Sequence, residues 1–226
     1  DYGQDIRILL SLNGIVPQGA EDQALLRILE RDAEGRIVPE SEYRLSFTPS
    51  GGAPPSTDLT LHSGWNFISV PRPLAAGNDT ALIFAPVETG SRSIFRYDTA
   101  AGEWVPLAET DQIAPLEGFW IYSTEPSTVP LNFSTDPLIS PAKRSLSTGW
   151  SAIGITGTAP ATARDALLSV NREWTTLIGF DAGKQAFETG IVNGGSGDYT
   201  DSRLVYQGKG YWLYMTEPGT LCAIGV

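Results

Sequence analysis

Aromatic and aliphatic residues alternate in a short segment near the end of the chain, which reads GYWLYMTEPGT at residues 210–220. In a strand, this alternation places Tyr211, Leu213 and Met215 on one face and Trp212 and Tyr214 on the other. Because both faces are apolar, the pattern predicts a central strand, or one that is covered on both sides.

A second copy of this segment, GFWIYSTEPST, occurs at residues 118–128. Each copy follows a similar opening strand, LHSGWNFISVP at 61–71 and LSTGWSAIGIT at 146–156. Between opening and closing strands lie a helix-prone stretch (78–84 and 161–170), a strand that ends in an aromatic residue and Asp (94–98 and 178–181), and a short strand (103–107 and 185–189). A recurrence in the same order predicts tandem repeats, each a small β module with one short helix.

The predicted organisation is mainly β, with an N-terminal β module followed by two tandem β-rich repeats. Its boundaries are an N-terminal β segment and linker at 1–58, repeat 1 at 59–135, a connector at 136–145, and repeat 2 at 146–226. DIRILLSLNG near the start is typical of a strand, and TPSGGAPPSTD at 48–58 is typical of a linker. Turn residues at 32–35 favour a hairpin in the segment RILERDAEGRIV. The apolar residues of EDQALLRILERD also fit the period of an amphipathic helix, which is the alternative.

The N-terminal strand lies outside both repeats and is apolar on both faces, with Ile6, Ile8 and Leu10 against Leu9. A strand at a chain end can pair with a neighbouring molecule, since an unpaired sheet edge is a template for another chain. It can also pair with the hairpin of its own module, which costs less entropy. The sequence leaves both alternatives open.

Composition and charge narrow the functional classes. A chain with 41% hydrophobic and 18% charged residues is expected to fold, and 24 glycines with 16 prolines favour many turns. A net charge of −11 repels nucleic acid, and no basic track offsets it. The chain begins at Asp1 and its one methionine is Met215, which is the start expected after removal of a secretory signal. No apolar run reaches the eighteen residues of a membrane span.

The motifs of the repeat resemble a known family. The Gly-Trp-Asn opening strand at 64–66, the aromatic-Asp strand end and the Gly-Tyr-Trp-Leu-Tyr-Met closing strand at 210–215 are similar to a module of secreted cell-surface proteins of methanogenic archaea, including S-layer and sheath-type envelope proteins. The resemblance covers residues 61–226 and implies an extracellular, structural protein. The second copy departs from the pattern with Ser151 where the first has Asn66.

The residues themselves offer little for catalysis. His62 is the one histidine and Cys222 the one cysteine, and no nucleophile elbow, P-loop or HExxH motif occurs. The carboxylates Asp98 and Asp181 hold equivalent positions in the two repeats, as do Glu125 and Glu217, so repetition explains the pairs and favours turn-capping roles. We therefore expect neither an enzyme nor a cofactor.

Two kinds of candidate site remain, one for a metal ion and one for glycans. Asn193, Asp198 and Asp201 lie in one Gly-rich loop and form a weak candidate for Ca²⁺, because they offer oxygen ligands. Asn78 and Asn132 each begin an acceptor sequon, Asn-Asp-Thr and Asn-Phe-Ser, which a secreted protein uses for N-glycosylation.

Trp65, Trp120, Trp150 and Trp212 lie in the repeated strands amid apolar neighbours, which favours packing in the core of each repeat. The alternative is that these rings stack on sugars. The sequence accordingly predicts a structural subunit of an extracellular assembly, such as an envelope sheath, S-layer or filament, with copies of itself as partners and glycans or Ca²⁺ as further candidates. The runner-up is an extracellular carbohydrate- or surface-binding adhesion module.

Overall fold

The fold is taken from a computed structural model, which describes residues 57–136 and 138–223. All of them belong to one compact unit, Pro54–Val226. They are mainly β and form antiparallel sheets, which confirms the predicted fold class. The strand and hairpin predicted between residues 1 and 47, and the linker up to residue 56, lie outside the described residues.

The first module comprises six strands and one 3-10 turn at Ala81–Phe84. The strands are β1 (Thr57–Leu61), β2 (Gly64–Ile68), β3 (Phe95–Asp98), β4 (Glu103–Pro106), β5 (Phe119–Ser123) and β6 (Ser127–Leu131). Four of them form a sheet in the order β2-β5-β3-β4, while β1 pairs with β6 in a two-stranded ribbon. The helix-prone stretch at 78–84 therefore yields only a single short turn.

The second module has a longer set of elements. Its strands are β7 (Lys143–Leu146), β8 (Gly149–Gly154), β9 (Ala161–Thr162), β10 (Trp174–Asp181), β11 (Ala186–Phe187), β12 (Ile191–Val192), β13 (Leu204–Val205), β14 (Gly210–Met215) and β15 (Gly219–Cys222). Helix α1 (Ala163–Ala166) begins after Thr162, whose side chain accepts a hydrogen bond from the backbone N–H of Asp165, and a 3-10 turn follows at Leu168–Val170. The main sheet has the order β11-β10-β14-β8, and β7 pairs with β15.

The two sheets share their strand order and their register. Trp120 of β5 pairs with Phe67 of β2, and Trp212 of β14 pairs with Ala152 of β8 at the equivalent point. In each module a separate two-stranded ribbon pairs the strand before the opening strand with the strand after the closing strand. The interpretation of the two segments as copies of one unit stays a prediction, to which this shared order lends weight.

The repeated Thr-Glu-Pro marks a corner, where a strand leaves the main sheet and enters the ribbon. Thr124 follows β5 and donates two hydrogen bonds, from its backbone N–H and its Oγ1, to the backbone oxygen of Glu88 at 2.8 and 3.1 Å. Thr216 follows β14 and makes the same two bonds to the oxygen of Glu173, at 2.6 and 2.9 Å. The aromatic strand is thus closed by Thr-Glu-Pro because the threonine ties the bend to a neighbouring loop.

A second corner precedes the Gly-Trp pair of each opening strand, where the ribbon strand turns into the main sheet. Gly64 and Gly149 have φ values of +101° and +105°, a region that favours glycine. In the first module Asn66 is buried, and its side chain bonds to the backbone N–H and C=O of His62 and to the C=O of Gly64. The asparagine of the Gly-Trp-Asn motif therefore fixes the corner.

The ribbon strands of both modules begin before the predicted first residues of the two repeats, 59 and 146. β1 starts at Thr57, inside the predicted linker, and β7 starts at Lys143, inside the predicted connector. Both strands carry polar residues on their outer side, for example Asp58, Lys143 and Ser145, which are exposed. A short strand with only one apolar face gives a weak sequence signal.

Each module encloses its own hydrophobic core between its main sheet and its ribbon. The core of the first module contains Leu61, Phe84, Phe119, Ile121, Val129 and Leu131 among others. The core of the second contains Ile153, Leu167, Trp174, Leu177, Leu213 and Met215 among others. The four tryptophans predicted as repeat core, Trp65, Trp120, Trp150 and Trp212, belong to neither of these two clusters. Trp65, Trp120 and Trp212 are partly buried and pack against a third cluster, whereas Trp150 is 38% exposed. The four rings lie on the other face of each sheet.

Candidate functional site

The outer faces of the two main sheets meet in an aromatic layer, which we define as Phe67, Ala152 and Phe180 with the partly buried rings around them, Trp65, Tyr97, Trp120 and Trp212. The ring contacts across the layer are reciprocal. Trp120 of the first module lies edge-on to Phe180 of the second, with centroids 4.8 Å apart. Trp212 of the second lies edge-on to Tyr97 of the first, at 5.0 Å. Each module thus offers its closing-strand tryptophan to the aromatic-Asp strand of the other.

The turns after the aromatic-Asp strands also reach across to the opposite module. Gln185, in the turn between β10 and β11, accepts a hydrogen bond from the backbone N–H of Trp65 at 2.8 Å and donates one to the backbone oxygen of Trp65 at 2.9 Å. Its side-chain amide therefore pairs with the edge of β2 as a strand residue would. From the corresponding turn of the first module, Thr99 Oγ1 lies 2.9 Å from Ser151 Oγ on β8.

Backbone approaches closely where the two modules meet. The N–H of Gly118 donates to the oxygen of Ala152 at 3.1 Å, and the N–H of Ser69 donates to the oxygen of Gly208 at 3.0 Å. A Cβ on Gly118 would lie 2.8 Å from the backbone oxygen of Ile153. Glycine stands at the start of each closing strand because no side chain fits there.

A half-buried cation adds a further link between the modules. Arg144 of β7 donates from Nη1 to the backbone oxygen of Leu116 at 2.9 Å and also to the backbone oxygen of Ala152. Burial lowers the pKa of this guanidinium, while the negative charge of Glu117 acts in the opposite direction. The arginine holds the segment before β5 against the opening strand of the second module.

Two adjoining cavities open beside the aromatic layer. The first has a volume of about 540 Å³ and is lined by Trp65, Phe95, Trp104, Trp120, Phe180 and Phe187. The second has a volume of about 480 Å³ and is lined by Tyr97, Trp104, Trp150, Ile178, Phe187 and Trp212. Trp104 and Phe187 line both, so we call the two cavities together the aromatic groove. Both volumes lie within the range of roughly 300–1,000 Å³ that is usual for ligand sites.

The two cavities are equivalent by strand register. Tyr97 pairs with Trp104 as Phe180 pairs with Phe187. Likewise Phe95 pairs with Trp120 as Ile178 pairs with Trp212. Apart from Gln185 in the first cavity and Glu188 in the second, each lining residue of one cavity therefore has a counterpart in the other, with the roles of the modules exchanged.

Several rings of the groove are open to solvent. Trp104 is 49% exposed, Phe187 is 59% exposed and Trp150 is 38% exposed. The sequence analysis did not single out Trp104 or Phe187. Their position in the sequence could have indicated their exposure. Each is the only aromatic residue of a short strand after a polar turn, and such a strand tends to lie at a sheet edge.

Charge near the groove is sparse. Glu188 borders the second cavity, and its carboxylate forms an ion pair with Lys209. Gln185 borders the first cavity, with its amide committed to the edge of β2. No arginine or lysine is among the residues that line either cavity in the described part of the chain. The groove is thus an apolar, aromatic surface without a charge aimed into it.

Asp201, one of the three residues of the weak Ca²⁺ candidate, has a buried carboxylate that is already occupied by protein partners. It receives Nη2 and Nε of Arg164 at 2.6 and 3.1 Å, and its Oδ2 also accepts from the N–H of Gly194 at 3.0 Å. Asn193 uses its side-chain nitrogen to donate to two backbone oxygens, and Asp198 is exposed. Among the described residues, no group of three or more His, Cys, Asp or Glu side chains could hold a metal ion.

Replacing Asp201 with Asn is expected to lower the free energy of unfolding by roughly 1–2 kcal/mol at pH 7, a modest figure because the Arg164 side chain is 56% exposed and screened by solvent. Hydrogen bonds from Arg164 lower the pKa of Asp201. The ionised carboxylate therefore stabilises the fold at pH values above its unfolded-state pKa of about 3.9, and this stabilisation is lost as the pH falls through the lowered folded-state pKa. Urea unfolding at pH 7 and at about pH 3 measures this, with Asp198→Asn as control. A difference between wild type and Asp201→Asn that stays constant with pH would contradict it.

The paired carboxylates of the two repeats lie in turns. Asp98 Oδ1 accepts from the N–H groups of Ala100 and Ala101, and Asp181 Oδ1 accepts from the N–H of Lys184. Hydrogen bonding from Lys184, whose Nζ lies 2.9 Å from Asp181 Oδ2, lowers the pKa of Asp181. Both aspartates thus cap the turn that follows their strand.

The other residues considered for catalysis are on the surface. Glu125 and Glu217 are exposed at the Thr-Glu-Pro corners, and His62 is exposed at the corner before Trp65. The structure brings none of them into the aromatic groove.

The two sequon asparagines lie side by side. Asn132 is exposed, Asn78 is half-buried, and Nδ2 of Asn132 lies 3.5 Å from Oδ1 of Asn78. Because an acceptor asparagine must be accessible, its greater exposure favours Asn132 over Asn78. Glycosylation stays a prediction, which the intact mass of the chain from its natural source would test.

Comparison with models of known protein families, with curated proteins and with solved structures finds no match for this chain. In the part of the chain that the structure describes, no helix has the length and apolar character needed to cross a membrane.

Proposed function

We propose that the chain is a non-enzymatic structural subunit of an extracellular assembly, such as an S-layer, a sheath or a filament of a cell envelope. The observation that carries the proposal is the reciprocal aromatic layer, in which two similar modules give each other the same contacts. A unit built from repeated modules in series suits an extended material more than a catalyst, because repeated interfaces propagate along an array. The sequence resemblance to archaeal envelope proteins supports the same role.

The chemistry of the described carboxylates supports the proposal. Asp98 and Asp181 cap turns, and Asp201 holds a loop through Arg164. A general acid or base would need a partner and an approach for substrate. These side chains are instead used to fix the fold.

The edges of the sheets indicate how copies would associate. The edge strand β4 is four residues long and ends in Pro106, and the ribbon strand β6 contains Pro130. Proline and short length blunt an edge, since proline has no N–H to donate to a new strand. Within the described part of the chain, assembly is therefore expected through side-chain surfaces. The N-terminal strand that the sequence predicts lies outside the described residues and stays the candidate for pairing between molecules.

Assembly of the purified full chain tests the proposal. Sedimentation velocity over a wide concentration range, with and without Ca²⁺, should show large species, and negative-stain electron microscopy should show ordered polymers. A chain lacking residues 1–10 is the matched variant: folded monomers that do not polymerise would assign assembly to the N-terminal strand. A full chain that stays monomeric under all these conditions contradicts the proposed function.

The exposed rings of the groove favour a second role, the glycan-binding module that the sequence leaves open. Trp104, Trp150 and Phe187 present accessible aromatic surface that packing does not require. Contiguous exposed apolar surface of this kind marks interaction sites. The two roles are compatible, because an envelope subunit that holds envelope polysaccharide is both structural and adhesive.

A further inference from the structure

We infer that the aromatic groove is a double binding site for a neutral polysaccharide, with one sugar-stacking cavity at each end and Trp104 and Phe187 shared between them. The inference gives the second candidate role a site and a ligand class. It does not require that the chain self-assembles, so the two proposals fail independently.

The accessibility of the rings is the first support. A pyranose ring carries patches of C–H groups that pack against the electron-rich face of an aromatic ring. Stacking needs a ring face that solvent reaches, and at the centre of the groove Trp104 and Phe187 are about half exposed. Behind them Tyr97 and Trp212 hold Trp104 edge-on, with centroids at 5.2 and 5.6 Å, so the tryptophan is positioned before any ligand arrives.

The charge around the groove selects the kind of glycan. Among the residues that the structure describes, no basic side chain lines either cavity, and the acidic neighbour Glu188 is paired with Lys209. With a net charge of −11, the chain repels sulfated and uronic polymers. A neutral ligand with apolar ring faces therefore fits this surface better than an anionic one.

The duplication of the site points to a polymer. The cavities are equivalent by register and share two rings, so they lie side by side on one surface. Two like sites on one molecule bind a repeating ligand more tightly than either site alone, because the second contact is intramolecular. A free monosaccharide gains nothing from such an arrangement, whereas a chain of like sugars occupies both sites.

Affinity electrophoresis of the full chain tests the inference. The gels contain hydroxyethylcellulose, galactomannan, xylan, laminarin or dextran as neutral polymers, and dextran sulfate as the anionic comparison. At least one neutral polymer is expected to retard the chain. Trp104→Ala and Phe187→Ala should each weaken retardation roughly tenfold, about 1.4 kcal/mol, since a central aromatic contact often carries that much. Tyr199→Ala is the matched control, because Tyr199 is 56% exposed and lines neither cavity.

Stoichiometry separates one site from two. Calorimetric titration with the disaccharide of the retarding polymer should give two sites per chain. Trp150→Ala should leave one site, because Trp150 lines only the second cavity. Phe187→Ala should weaken both sites, and because Phe187 is the most exposed ring of the groove, this variant is expected to keep its fold by circular dichroism.

Several results would overturn the inference. These are retardation by dextran sulfate alone, unchanged retardation of both central variants, or one site per chain in the wild type. Tryptophan fluorescence of the free chain that iodide does not quench would also overturn it, because covered rings cannot stack. If tetramethylammonium protects the tryptophans from iodide quenching more strongly than sugar does, the groove binds organic cations instead. Loss of self-association in Trp104→Ala would assign it to a second copy of the chain.

Discussion

Replacement of Trp174 with Ala is expected to lower the free energy of unfolding by roughly 3–5 kcal/mol, because the change leaves a large cavity in a closed core. Trp174 is 2% exposed and packs with Leu213, Met215 and their neighbours in the core of the second module. It starts β10, whose other end supplies Phe180 to the aromatic layer. A loss of this size is a large share of the stability of an ordinary domain, and urea unfolding followed by circular dichroism measures it.

Trp150→Ala provides the matched control, since it removes the same side chain from an exposed site. Trp150 is 38% exposed and contacts Tyr214 edge-on at 5.1 Å. Its replacement is expected to cost less than about 1 kcal/mol. Equal losses in the two variants would contradict the assignment of Trp174 to the core and of Trp150 to the surface.

Gly118→Ala is expected to lower the free energy of unfolding by about 1–3 kcal/mol, although alanine has the higher strand propensity. The added Cβ would lie 2.8 Å from both the backbone oxygen of Ile153 and the ring of Phe67. A backbone atom cannot turn aside as a flexible side chain can, so the two modules must separate slightly. Gly210→Ala, at the equivalent position, would push into the ring of Phe67 and should behave similarly.

Gly190→Ala serves as the control for these two changes. Its Cβ would meet only Thr176 and Ile178, at 3.7 and 3.8 Å, which is ordinary van der Waals contact. Its stability should change by no more than a few tenths of a kcal/mol. Near-ultraviolet circular dichroism should change in the Gly118 and Gly210 variants, because the tryptophans of the aromatic layer would shift. Unaltered spectra and stability in both variants would contradict the close approach of the modules.

Much of the fold follows from local pattern. The alternation in 118–123 and 210–215 predicts the strands β5 and β14, and the aromatic-Asp ends predict β3 and β10, because period-two patterns report directly on strands. The helix-prone stretch at 78–84 forms only the 3-10 turn Ala81–Phe84, whereas the stretch at 161–170 forms helix α1 and a second 3-10 turn. The ribbon strands β1 and β7 were missed because only one of their faces is apolar.

The candidate site could not be predicted in the same way. Alternation identifies the apolar faces of β5 and β14 but does not say which face meets its own core and which meets the other module. As tryptophans, Trp120 and Trp174 have the same tendency to be buried. Trp120 nevertheless lies in the layer between the two sheets, whereas Trp174 lies in the closed core of the second module. That difference depends on long-range pairing, which the local sequence does not encode.

The exchange of rings between modules has a consequence for how the chain can change over time. Each cavity takes most of its lining from one module and its remainder from the other, yet the two copies are separate stretches of one chain. Substitutions can therefore accumulate in one cavity while the other keeps its original form, a freedom that a symmetric pair of identical chains lacks. Phe95 and Ile178 already differ at equivalent positions of the two sheets. Two similar modules in one chain thus give a single polypeptide the means to carry two different cavities on one face.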